Sequence, residues 1–186
     1  MGLLLSVSGA IDRLLEHIAR AAGWLFLALV ALICWDIVTR KFGFQLPGFG
    51  STPIQEMEWH LHGVLFLAWL GYAYIRNVHI RIDVFTAAMP ARRQAWLEVV
   101  GIVIFAAPYL AIATWHSYGF ALTSFLQNES SDAPNGLPWR WIVKACLVAG
   151  FVLIDLAVIS VLFRKLAFLF GPPDVARRAA PAPAGR

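Results

Sequence analysis

The chain has 186 residues, 60% of them apolar and 14% charged, with a mean hydropathy of +0.69, whereas about a quarter of the residues of a soluble domain are charged. This excludes a soluble enzyme and points to an integral membrane protein. The net charge of +4 does not signal nucleic acid, because Lys and Arg gather at the ends of apolar runs, where a bilayer accounts for them.

Residues 1–20 place Ile11, Leu14, Leu15 and Ile18 on one helical face and Asp12, Arg13, Glu16, His17 and Arg20 largely on the other. The pattern predicts an amphipathic N-terminal segment lying on the cytoplasmic interface before the chain turns into the membrane. It does not read as a signal peptide: no basic region precedes the first leucines, and the next apolar run ends in Arg40 and Lys41. A four-helix membrane domain over 21–165 follows, with spans near 21–38, 58–75, 95–115 and 141–163. Each approaches the roughly 20 apolar residues that a helix rising about 1.5 Å per residue needs to cross the hydrocarbon. Residues 166–186 end in PPDVARRAAPAPAGR, which predicts a disordered cytoplasmic tail. The expected fold class is therefore all-α, integral membrane, with both termini cytoplasmic.

That orientation rests on charge. Eleven basic residues fall on the side of the termini: Arg13, Arg20, Arg76, Arg81, Arg92, Arg93, Arg164, Lys165, Arg177, Arg178 and Arg186. Only Arg40, Lys41 and Arg140 fall opposite, with Lys144 inside the last span. The loop at 42–53 is rich in Gly, Pro and aromatics and is expected to lie on the surface, while Glu129 and Asp132 make the loop at 117–138 acidic. Cys34 and Cys146 fall within spans and read as packed thiols, not a disulfide.

An ionisable group inside a bilayer costs roughly 2.5 to 3.5 kcal/mol on insertion scales, so each one needs a partner. Asp36 and Lys144 both lie about 6 Å below the outer surface in the expected topology, which allows an interhelical pair or separate snorkelling. Asp155 is deeper; it can hydrogen-bond Trp69 or Tyr72, stay protonated, or face a second protein, and the last is favoured. Glu98, one turn into the third span, is expected to reach the interface near Arg92 or Arg93. On the second span Glu56 and His60 share a face and Glu58 and His62 stand at i and i+4, a weak metal signal that is set aside. Pro108 should kink or loosen the third span. Nucleotide-binding loops, nucleophile elbows, metalloprotease motifs and internal inverted repeats do not occur, so an accessory subunit is the economical reading.

Several stretches together resemble a known family: DIVTRKF from Asp36, the Gln55-Glu56 pair followed by Trp59, FLAWLGYAY running into HIRID with His79, Arg81 and Asp83, and GLPWRWIVK ending in Lys144. They are similar to the DctQ-like small permease subunit of tripartite ATP-independent periplasmic (TRAP) transporters, over most of the chain. The resemblance implies a non-catalytic subunit of the bacterial inner membrane that packs beside a large TRAP permease subunit. A periplasmic solute-binding protein would deliver the solute, usually an organic acid, and the large subunit would bind both it and sodium. No cofactor belongs to this chain on that view. Asp36, Arg40, Glu56, Trp59, His79, Arg81, Asp83, Lys144 and Asp155 become structural or partner-interface candidates. The HLH at 60–62 is more polar than the family suggests. The alternative is a haem-bearing membrane anchor of a respiratory enzyme, with His60, His62 and His116 as ligand candidates.

Overall fold

The computed structural model describes residues 1–44, 50–78, 86 and 88–180. His79, Arg81 and Asp83 lie outside the described residues. The described elements are all helical: α1 Gly2–Phe42, α2 Ser51–Ile75, α3 Ala91–Leu126, α4 Trp141–Phe170 and α5 Pro173–Ala179. Of these, α1, α3 and α4 are long and apolar enough to cross a membrane. The 25 residues of α2 suffice in length, but Glu56, Glu58, His60 and His62 dilute its first half.

Three features differ from the sequence expectation. First, α1 is one unbroken helix of 41 residues, about 60 Å long, so the N-terminal segment does not turn before entering the apolar run. The junction around Ile18 to Trp24 is rich in alanine, the best helix former, and carries nothing stronger than Gly23 to break it. Second, the expected boundary at 165 falls inside α4, which continues to Phe170, and Pro173–Ala179 is helical where disorder is expected. Leu169 and Ala167 are buried, so tertiary packing carries α4 past its last basic residues. Third, Pro108 acts through a π-helical segment, Ile102–Ala106, in the preceding turn of α3. Proline lacks the N–H that would donate to the carbonyl four residues back; the helix accommodates this by one wide turn, closed by Ala107 N–H on the Ile102 carbonyl.

Helix ends are marked chemically. Gly43, Asn77 and Asn128 take positive φ of 67°, 56° and 49°. At each, the left-handed residue donates to the carbonyl three back and the next residue to the carbonyl five back, as in Phe44 N–H to Thr39 and Glu129 N–H to Ser124, both 3.0 Å. This closes α1, α2 and α3 with Schellman motifs.

The chain forms two compact units. The first comprises Met1–Glu16, Gly71–Ile112 and Ile154–Arg186; within it Ala95, Val99 and Leu169 form a core cluster joined by Leu162, Leu166 and Phe168. The second comprises His17–Leu70 and Ala113–Leu153. There the Trp69 indole donates to the Ala19 carbonyl at 2.9 Å, and Leu67 fills the space beside Gly150, where an added Cβ would lie 2.7 Å from it. Large apolar side chains stay outside on every long helix, Trp24, Phe105 and Trp115 among them, each more than 70% exposed. Such a surface suits lipid, not water.

Candidate functional site

In the second unit, the polar chemistry centres on Glu56 and the loop between α3 and α4. The loop is folded by its own backbone: Ser131 N–H donates to the Leu137 carbonyl (3.1 Å), Gly136 N–H to Ala133 (3.0 Å) and Arg140 N–H to Glu129 (2.9 Å). The buried Glu56 carboxylate accepts the Ser131 hydroxyl on one oxygen and the Leu137 N–H, at 2.6 Å, on the other. The Ser131 hydroxyl, then the Leu137 N–H, hold Glu56 below the usual carboxylate range, outweighing its burial. Gly136 is required here: a Cβ would stand 2.2 Å from Ser131 Cβ and 2.9 Å from Glu56 Oε1.

Charges around this latch are paired within the chain. Lys144 binds Glu129 and sits 3.8 Å from the Phe120 ring centroid, so the ammonium has both an anion and an aromatic face. Lys144 holds the Glu129 carboxyl below its ordinary pKa. Arg140 reaches Asp132 at 3.4 Å and lies 6.0 Å from the Trp59 ring centroid. Asp36, only 1% exposed, pairs with Arg40 one turn along α1. The Asp36–Lys144 pair allowed by the sequence is therefore not formed. Each residue finds a nearer partner, Arg40 at i+4 and Glu129 from the loop, at lower entropic cost than bridging two helices.

The first unit carries a second polar cluster. Ser8 and Ser160 exchange a hydrogen bond at 2.8 Å, Ser160 Oγ donates to Asp12 at 2.6 Å, and Arg164 binds the other Asp12 oxygen at 2.9 Å. Sequence reasoning missed this clamp, although Ser8 and Asp12, like Ser160 and Arg164, are polar pairs at i,i+4. Glu98 pairs with Lys165 at 2.5 Å, because α4 presents a cation directly to it. Arg76 meets Glu16 at 3.2 Å. Asp155 is half-buried, and the Trp69 indole, one of the alternatives the sequence leaves open to it, donates to the Ala19 carbonyl.

Among the described residues, three or more His, Cys, Asp or Glu side chains gather nowhere in a metal-binding arrangement. An apolar groove of about 720 Å³ in the second unit is lined by Leu67, Tyr118, Phe125, Trp141, Cys146 and Gly150, among others. Its walls offer a charged solute nothing.

A family model described as the DctQ component of tripartite ATP-independent periplasmic transporters matches residues 29–168. The chain belongs to the DctQ family. It is the non-catalytic small membrane component of a TRAP transporter, a multi-pass membrane protein, and the haem-anchor alternative falls away. Neither a curated protein nor a solved structure matches it. Of the residues carrying the resemblance, Glu56 and Lys144 are engaged around the α3–α4 loop, with Trp59 beside Arg140. Asp36 and Arg40 pair with each other; Asp155, an interface candidate by its depth in the span and not by the resemblance, lies in the first unit.

Proposed function

We propose that this DctQ subunit crosses the membrane four times, with both termini cytoplasmic, and serves as fixed scaffold for a large permease subunit in the bacterial inner membrane. On this reading a periplasmic binding protein delivers an organic acid, and the large subunit couples its uptake to sodium. This chain binds neither. The residues support a scaffold because Asp12, Asp36, Glu98 and Lys144 are each neutralised by Arg164, Arg40, Lys165 and Glu129 of the same chain. Charges closed into pairs within the chain do not form a path for a solute.

The observation that carries the four-crossing count is the Glu56 latch. Glu56 begins α2 and bonds to residues 131 and 137, beyond the end of α3. Two segments that touch at one membrane surface are separated by an even number of crossings. Since α3 crosses, α2 crosses as well, despite its polar first half. The eleven-to-three distribution of basic residues then sets the side. Of the two carboxylates of the outer loop, Asp132 is the one fully exposed, with Arg140 at 3.4 Å as its loose partner, and so the better placed to steer a binding protein; Glu129 is held by Lys144.

Purification of the tagged chain from native membranes in mild detergent tests the assignment. A large polytopic permease should co-purify in about equal amount, and liposomes carrying this chain alone should not take up the solute. Recovery of the chain without such a partner, or uptake by it alone, would sink the proposal.

A further inference from the structure

In the first unit, the start of α3 meets the end of α4, and α5 follows directly after Gly171 and Pro172. Arg92 donates to the Leu169 carbonyl at 3.4 Å, and Trp96 packs edge-on against Phe170 with ring centroids 5.5 Å apart. Both rings remain substantially exposed. Gly171 ends α4 where a Cβ would lie 2.4 Å from the Ala167 carbonyl, and α5 begins two residues later. Val175, Ala176 and Ala179 are half-buried, whereas Asp174, Arg177 and Arg178 are exposed. Arg177 and Arg178 are thus within about 15 Å of chain from Phe170, and Arg92 and Arg93 flank the same aromatic pair from α3. Four exposed arginines face one exposed carboxylate, Asp174; Glu98 is occupied by Lys165. Arg92 and Arg177 each give one donor to a backbone carbonyl, at 3.4 and 3.3 Å. A guanidinium has five, in a fork that matches phosphate oxygens.

We propose that Arg92, Arg93, Arg177 and Arg178, set around the Trp96–Phe170 pair, form a binding site for the phosphate of an anionic phospholipid headgroup. The cations supply the charge and the bidentate geometry. The exposed rings supply the interfacial aromatic surface at which headgroup and acyl chain divide, which selects a lipid over free phosphate. Paired arginines from two helical elements make a more specific receptor than the diffuse attraction of a basic surface to an acidic leaflet, which amounts to a few-fold in affinity per cation.

The test uses the full chain in nanodiscs of phosphatidylcholine, with spin-labelled phosphatidylglycerol or phosphatidylcholine as the probe. The wild-type chain should retain phosphatidylglycerol on the order of tenfold more strongly, inorganic phosphate should not displace it, and R92Q/R93Q/R177Q/R178Q should bring the ratio close to one. R13Q/R20Q, which removes basic charge elsewhere on α1, should keep most of the preference. Absence of a preference, its survival in the quadruple variant, or an equal loss in R13Q/R20Q would overturn the site, and displacement by phosphate would make it an anion site and not a lipid site. Should the quadruple variant not fold, R177Q/R178Q alone, on an exposed seven-residue helix, should remove about half of the preference, and an unchanged ratio there counts against the proposal. The nanodisc offers the same lipid on both faces and no partner, so the outcome is independent of membrane orientation and of the large subunit.

Discussion

Glu56 and Gly136 show how a short string of residues fixes an extramembrane loop. The Glu56 carboxylate accepts two hydrogen bonds from the loop, and hydrogen bonds to a charged group contribute roughly 1.5 to 3 kcal/mol each. Glu56→Ala leaves the Ser131 hydroxyl and Leu137 N–H to water, so we expect a loss of about 2 to 3 kcal/mol, read as a lower unfolding temperature in detergent. Glu56→Gln keeps one acceptor and should fall between. The pH dependence has a definite sign. Both Glu56 and Glu129 have folded pKa values below the ordinary one, so their contribution is complete above about pH 4.3 and is lost as pH falls through the lowered folded values. Amide exchange at Leu137 should therefore stay slow from neutral pH down to about pH 4 and lose protection below it. Protection that fell instead between pH 7 and 5 would contradict the latch.

At the scale of elements, the helices were legible because their apolar runs are long, and the π-helical turn before Pro108 was legible as a disturbance though not in kind. Helix ends were harder. Asn77 and Asn128 stop α2 and α3 by adopting left-handed backbone, a choice that asparagine tolerates without requiring. Loss of the expected turn near residue 20 has a similar cause: amphipathicity sets which face is apolar and says nothing about whether the helix bends. Side-chain partners were the least legible, since Asp12, Ser160 and Arg164 are distant in sequence and only packing brings α1 and α4 together within their unit. That clamp is testable by a double-mutant cycle. Asp12→Ala should cost about 1 to 3 kcal/mol, because it removes the carboxylate from Arg164 and leaves Ser160 with Ser8 as its partner in a half-buried site. Arg164→Met should cost less, and the double variant less than the sum, with a coupling of about 0.5 to 3 kcal/mol. Additive effects would mean that the pair is incidental.

For the whole molecule, the number of crossings links the sequence to the transporter. Charge counting alone does not settle it. If α2 failed to cross, the count would still be eleven against three, with Arg13, Arg20 and Arg140 on the minor side, since Arg40 and Lys41 would exchange places with Arg13 and Arg20. On the proposed reading, the contact between Glu56 and the 131–137 loop favours four crossings, and it makes a prediction about labelling. In a background with Cys34 and Cys146 replaced by alanine, Ser51→Cys and Asp132→Cys should both react with a membrane-impermeant maleimide applied from the periplasm. Arg13→Cys and Arg178→Cys should react only after the membrane is permeabilised. Labelling of Ser51→Cys and Asp132→Cys from opposite sides would require an odd number of crossings between them, and the latch could then not form in the membrane. Labelling of both from the cytoplasm would keep the four crossings and invert the subunit, turning Asp132 away from any binding protein.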